Sequence, residues 1–147
     1  MPINNLNKLQ PITTNFDPWE AYNDRTQHGK QILTNVEFTT TNLCNMRCEH
    51  CAVGYTLQTK DDNALPLDLL IRRLDEVEHL KALSITGGEP MLSKTSVINY
   101  VVPLLKYAHE RAVYTQMNSN LTVDLAKYDE VIPYLDVLHI SHNWGTV

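Results

Sequence analysis

No stretch of this sequence is long and apolar enough to cross a bilayer. Nor does its start, Met1-Pro2-Ile3-Asn4-Asn5, carry the basic segment and apolar run of a secretory signal. Both absences lead to the expectation of a cytoplasmic protein with no membrane partner. Basic clusters are missing too. The 12 Lys and Arg residues are scattered, and Arg72-Arg73 is the longest basic run. With a net charge of −5, binding to nucleic acid through bulk electrostatics is not expected. There is no internal repeat and no low-complexity tract. Cysteine is scarce, and its count of 3 is odd, which fits a disulfide scaffold poorly.

What is present is a globular composition, 43% apolar over 147 residues, enough for one domain with a core. All three cysteines fall in one short stretch, Cys44-Asn45-Met46-Arg47-Cys48-Glu49-His50-Cys51. Thiols clustered in this way in a cytosolic chain point to a metal.

The elements follow from patterning. Asp17-Pro18-Trp19-Glu20 reads as a helix start, with Asp17 as cap and Pro18 in the first turn, for a short helix ending near Gly29. A β-branched and aromatic run over residues 35–41 predicts a first strand, directly before the cysteines. Leu67, Leu70, Ile71, Leu74, Val77 and Leu80 recur at helical spacing from Pro66 onward. A second strand is expected over 82–86, ending at Gly87-Gly88-Glu89-Pro90. The helix after it starts near Ser93, runs past Ala108 and carries Pro103, which should kink it. A third strand is expected over 112–117, ending at Asn118-Ser119-Asn120. A third helix over 124–134 should bury Leu125, Tyr128, Val131 and Ile132, with Pro133 closing it. A fourth strand over 136–140 ends at Ser141-His142-Asn143. Alternating strands and helices imply a parallel α/β sheet with right-handed crossovers. Ligands bind such sheets at the carboxyl ends of the strands, where these motifs lie.

Thiolates suit both iron–sulfur clusters and zinc. Cys44, Cys48 and Cys51 with His50, His139 or His142 could form a Cys₃His zinc site of a small binding module. Three thiolates on a [4Fe–4S] cluster would instead leave one iron open to a small ligand. Zinc does not account for the glycine turn at the next strand end, although Gly87-Gly88 by itself is an ordinary strand-to-helix turn.

The spacing Cys-x3-Cys-x2-Cys after a first strand, followed by Gly-Gly-Glu-Pro after a second, resembles the radical S-adenosylmethionine (SAM) superfamily, over roughly Val36 to Asn143. The leading Asp-Pro-Trp-Glu segment also resembles the YfkA/YfkB-type radical SAM proteins. The resemblance implies a partial (βα) barrel and a [4Fe–4S] cluster held by Cys44, Cys48 and Cys51. It further implies SAM on the open iron, cleaved by one electron to methionine and a 5′-deoxyadenosyl radical that takes hydrogen from a substrate. An electron donor such as flavodoxin or ferredoxin is implied as partner. The backbone of Gly87 and Gly88 would receive the SAM amino group, with Glu89 holding the turn or assisting. Asn118, Ser141 and Asn143 stand where relatives contact SAM. Ser119 replaces the glycine of the Thr-Asn-Gly that relatives often carry, and His50 replaces an aromatic near adenine. No catalytic or substrate-binding residue is singled out.

A full eightfold barrel takes about 250 residues. The sequence is therefore expected to be truncated after about four parallel strands: an N-terminal extension over 1–35, then the first part of the barrel over 36–147. The remainder would come from a longer protein or from a second chain completing the barrel. A truncated, inactive product is the further alternative.

Overall fold

In the computed structural model the described residues are 33–60 and 65–141. The helix expected over 17–29 lies outside them, as do His142 and Asn143. Four strands form one sheet in the order β1-β2-β3-β4: β1 (Asn35–Thr39), β2 (Ala82–Thr86), β3 (Tyr114–Ser119) and β4 (Val137–Ile140). Every neighbouring pair is parallel. The expected α/β partial barrel, its first four strands in chain order, is what the chain forms.

Registration explains the two faces of the sheet. Phe38, Ile85, Met117 and Leu138 stand side by side across all four strands, so their side chains share one face. Ile85 and Met117 are fully buried there, and Phe38 and Leu138 pack against them. Glu37, Ser84, Gln116 and Val137 form the corresponding row on the opposite face. The alternation of apolar and polar residues along β1, β2 and β3 thus aims one face at helices and leaves the other polar.

Two helices cover the apolar face. Helix α1 (Leu67–Asp75) packs Leu67, Leu70, Ile71 and Leu74 onto the core. It is shorter than its apolar spacing suggested: the chain turns at Glu76, and Val77 and Leu80 follow outside it. Helix α2 spans residues 94–110 and starts at the Ser93 cap, whose hydroxyl accepts from the Ser96 N–H at 3.1 Å. Val101, Leu104, Leu105 and Ala108 on its inner side are fully buried. Each of the larger ones contributes roughly 1.5–3 kcal/mol of transfer free energy.

Pro103 follows a widened turn. Val97–Val101 is π-helical, with the Val102 N–H bonded to the carbonyl five residues back, Val97. Proline lacks the N–H that regular pitch would need here, and the extra residue in the turn absorbs the mismatch.

Two further sequence expectations are corrected. Strand β3 begins at Tyr114 and reaches Ser119, two residues later than expected at each end. The reason lies at the end of α2: Ala112 takes a left-handed φ of 56° while the Val113 N–H bonds Ala108 O, so these residues terminate the helix. The segment 124–134 is not an α-helix but two 3₁₀ turns, Leu125–Glu130 and Ile132–Tyr134. Pro133 disfavours α geometry at Ile132 and donates no hydrogen bond. Tyr128 and Val131 are buried as expected, but Leu125, in the first turn, is 65% exposed.

Candidate cofactor site at the strand ends

The cysteine loop leaves β1 through two buried threonines. Thr40 N–H bonds Thr86 O at 3.1 Å, continuing the ladder, and the Thr40 carbonyl accepts from the Ser96 hydroxyl at 3.3 Å. The Thr41 hydroxyl accepts from Leu43 N–H at 3.0 Å and opens the loop. On the way back, Leu43 and Gln58 form a parallel bridge, and Gln58 N–H bonds Asn42 O at 2.8 Å. The three cysteines therefore sit on an excursion closed at its base. Inside it, turns follow one another: Cys51 N–H to Cys48 O, Gly54 N–H to Cys51 O, Thr56 N–H to Val53 O. The Arg47 guanidinium donates to the carbonyls of Cys44 and Met46, both at 2.8 Å.

None of the three cysteines is in a disulfide, and all are half-buried. Burial pushes the Cys44 thiol above its ordinary pKa. The Met46 N–H, donating to its sulfur at 3.5 Å, works against that, and the Glu89 charge adds to the rise. A metal taken up there would displace that proton, as thiolate ligation does generally. Among the described residues no three His, Cys, Asp or Glu side chains converge tightly enough for a single ion. A cluster asks for something else. It would take one thiolate on each of three irons, and three cysteines on one short closed loop supply donors of that kind and number. The donor set and its loop fit that group.

The second motif packs directly against the first. Gly87 has φ +155°, and a Cβ on it would lie 2.5 Å from Thr41 O. One on Gly88 would lie 2.2 Å from Leu43 O and 3.0 Å from the Cys44 Cβ. Both glycines are therefore required for the approach of the turn to the cysteine loop. Backbone bonds fix the contact: Gly88 N–H to Thr41 O and Glu89 N–H to Leu43 O, both at 2.8 Å.

Glu89 is 1% exposed, and its carboxylate reaches to the end of β3. Oε1 accepts from the Ser119 hydroxyl at 2.8 Å and from Met91 N–H at 3.1 Å; Oε2 accepts from Asn120 N–H at 2.6 Å. Ser119 is itself buried. Its oxygen lies 2.6 Å from the Tyr128 hydroxyl and accepts from Leu121 N–H. The turn continues at Leu121 with a left-handed φ of 57°, so the bend falls two residues beyond the serine that replaces glycine.

A second link crosses above this one. Asn120 Nδ2 donates to Asn45 Oδ1 at 3.0 Å, Asn45 Nδ2 to Thr122 Oγ1 at 2.7 Å, and Thr122 Oγ1 to Asn120 Oδ1 at 2.7 Å. The three side chains close a ring between the cysteine loop and the β3 end. Sequence reasoning missed Asn45, Ser119, Asn120, Thr122 and Tyr128 as parts of the site. Their polar character suited ordinary turns, and nothing in sequence spacing brings 45 to 120.

The other expected residues are placed less tightly. Asn118 lies within β3, half-buried on the polar face, beside His139 of β4 in register, and its Oδ1 accepts from Gln116 Nε2 at 3.4 Å. His139 is exposed, not a core residue. Ser141 is exposed and bonds through its N–H to Ser119 O at 2.9 Å. His50 is exposed within the cysteine loop. On the polar face, Ser84 Oγ is buried without a hydrogen-bond partner among the described residues.

The sequence matches the family model described as the radical SAM superfamily over residues 38–143. The chain belongs to the radical SAM superfamily. That family uses a [4Fe–4S] cluster and SAM. The chain is 74% identical to the YfkA protein of Bacillus subtilis (strain 168) over 140 residues, 95% of this chain and 38% of that protein. It is 31% identical over 100 residues to GTP 3′,8-cyclase of Helicobacter pylori (strain HPAG1), covering 66% of this chain and 31% of the cyclase. The chain thus spans about a third of the length of the curated relatives it matches. In fold it is similar to Streptococcus suis SuiB bound to S-adenosylmethionine, with TM-score 0.52 and 18% identity, over 85% of this chain and 31% of SuiB. Among the described residues no helix is long and apolar enough to cross a membrane.

Proposed function

We propose that this chain is the cofactor-binding front of a radical SAM enzyme, with Cys44, Cys48 and Cys51 each holding one iron of a [4Fe–4S] cluster. The observation that carries the reading is the direct backbone contact between the cysteine loop and the Gly87-Gly88-Glu89 turn. It fixes two motifs at adjacent carboxyl strand ends as one unit.

When bound, the cluster would supply the one strongly reducing electron needed to cleave SAM to methionine and a 5′-deoxyadenosyl radical for hydrogen abstraction from a substrate. This chain's own residues bind and orient. Three thiolates would leave one iron for the SAM amino and carboxylate groups, and the backbone of the glycine turn would receive the amino group. Asn118, Ser141, Asn143 and His50 serve in this reading as further SAM contacts. Glu89 holds the turn from beneath. The electron comes from a flavodoxin or ferredoxin in the cytoplasm. Later strands, from the rest of a longer protein or from a second chain, complete the barrel and carry the substrate.

The test uses the complete protein, reconstituted with iron and sulfide without oxygen, then given dithionite and SAM. Methionine and 5′-deoxyadenosine should form, and Cys48→Ala should form neither. Product formation by an iron-loaded Cys48→Ala variant at the wild-type rate would refute the assignment.

A further inference from the structure

Glu89 stands out among the described residues as a buried carboxylate with no cationic partner. Its three hydrogen-bond donors, Ser119 Oγ, Met91 N–H and Asn120 N–H, are all neutral. They satisfy the oxygens without cancelling the charge. A lone buried charge is costly, and one kept in this way calls for a reason beyond packing.

Its position supplies one. The residue before it, Gly88, lies against Cys44, and its own N–H bonds Leu43 O. The side chain then runs to the β3 end, from which Asn120 and Thr122 grip Asn45 in the cysteine loop. One carboxylate therefore links the glycine turn, the β3 end and, through Asn120, the cysteine loop.

We propose that Glu89 is a positioning residue for the cluster on the cysteine loop and a fixed buried charge that holds the cluster's reduction potential low. The inference rests on the assignment of the cluster to Cys44, Cys48 and Cys51. Charge near an iron–sulfur cluster and its exposure are established levers on its potential. Burial makes this charge effective: water and salt screen an interior charge far less than an exposed one. The opposing cation, Arg47, is exposed and turned to backbone carbonyls.

The test is the midpoint potential of the complete, iron-loaded protein, read by spectroelectrochemistry, with three variants. Glu89→Gln removes the charge at constant size, and its potential should shift upward. Glu89→Asp keeps the charge and should stay nearer the wild type. Ser119→Ala removes a neutral donor and leaves the charge less compensated, so its potential should shift downward or hold. A role in loop stability alone would loosen the site in both Glu89→Gln and Ser119→Ala and move both potentials the same way, which would overturn the proposal. So would an unmoved potential in Glu89→Gln. If Glu89→Gln takes up no iron, the direction in Ser119→Ala decides: an upward shift refutes the role. Wild-type protein that binds no iron would instead refute the cluster assignment itself.

Discussion

Gly88 shows how little room the site leaves. An alanine there would put its Cβ 2.2 Å from Leu43 O, with the neighbouring backbone unable to swing aside as a flexible side chain could. Gly88→Ala should destabilise the protein by about 1–3 kcal/mol and lower the iron bound after reconstitution, because the displaced atoms precede Cys44. Gly54→Ala is the matched control. Its Cβ would meet only the Cys51 Cβ, at an ordinary 3.6 Å, so iron content should stay at the wild-type level. Equal iron in both variants would mean that the turn does not support the loop. The cysteine spacing and the glycine pair were both readable from the sequence. What the glycines approach was not, because it depends on how β1 and β2 are registered. Ser119 was legible only as a departure from a pattern. Its role as the buried hub between Glu89 and Tyr128 comes from a contact 30 residues apart.

At the scale of elements, apolar periodicity located the core well. Leu83, Ile85, Leu104, Leu105 and Val101 are all fully buried. Leu104→Ala should cost about 2–5 kcal/mol in chemical denaturation, since it empties a closed site between α2 and the sheet. A cost below 1 kcal/mol would contradict the packing described. The segment over 124–134 shows where periodicity misled. The 3₁₀ and α repeats both place 125, 128 and 131 near one line, so spacing alone did not separate them. The end of α2 offers a change in the other direction. Ala112 holds a left-handed φ of 56°, which costs an L-residue roughly 1–2 kcal/mol. Ala112→Gly should therefore raise stability by up to about 1 kcal/mol after glycine's entropy cost, seen as a higher melting temperature. A fall would show that the Ala112 methyl packs more than its exposure implies.

For the whole molecule, buried phenols tie stability to alkaline pH. Burial raises Tyr107 above its ordinary pKa of 10, and its hydrogen bond to Asp75 adds to that. Burial also raises Tyr128, beside Ser119. A raised folded value favours the neutral form. The stabilisation is therefore full below pH 10 and is lost as the pH climbs through the folded values. Urea midpoints should hold from pH 8 to 9.5 and fall by pH 11, and Tyr128→Phe should lessen the fall. A flat profile would mean that neither phenol stays neutral through folding.

Strand order, polarity of the two faces and motif placement all bring the chemistry to one end of the sheet. The claim beneath the rest is that three thiolates hold a four-iron cluster and leave one iron to SAM. Electron paramagnetic resonance of the reduced complete protein, recorded with and without SAM, tests it most directly. The account predicts a [4Fe–4S]⁺ signal that changes shape when SAM is added and is absent in Cys48→Ala. A cluster signal indifferent to SAM, or one that survives Cys48→Ala unchanged, would contradict it.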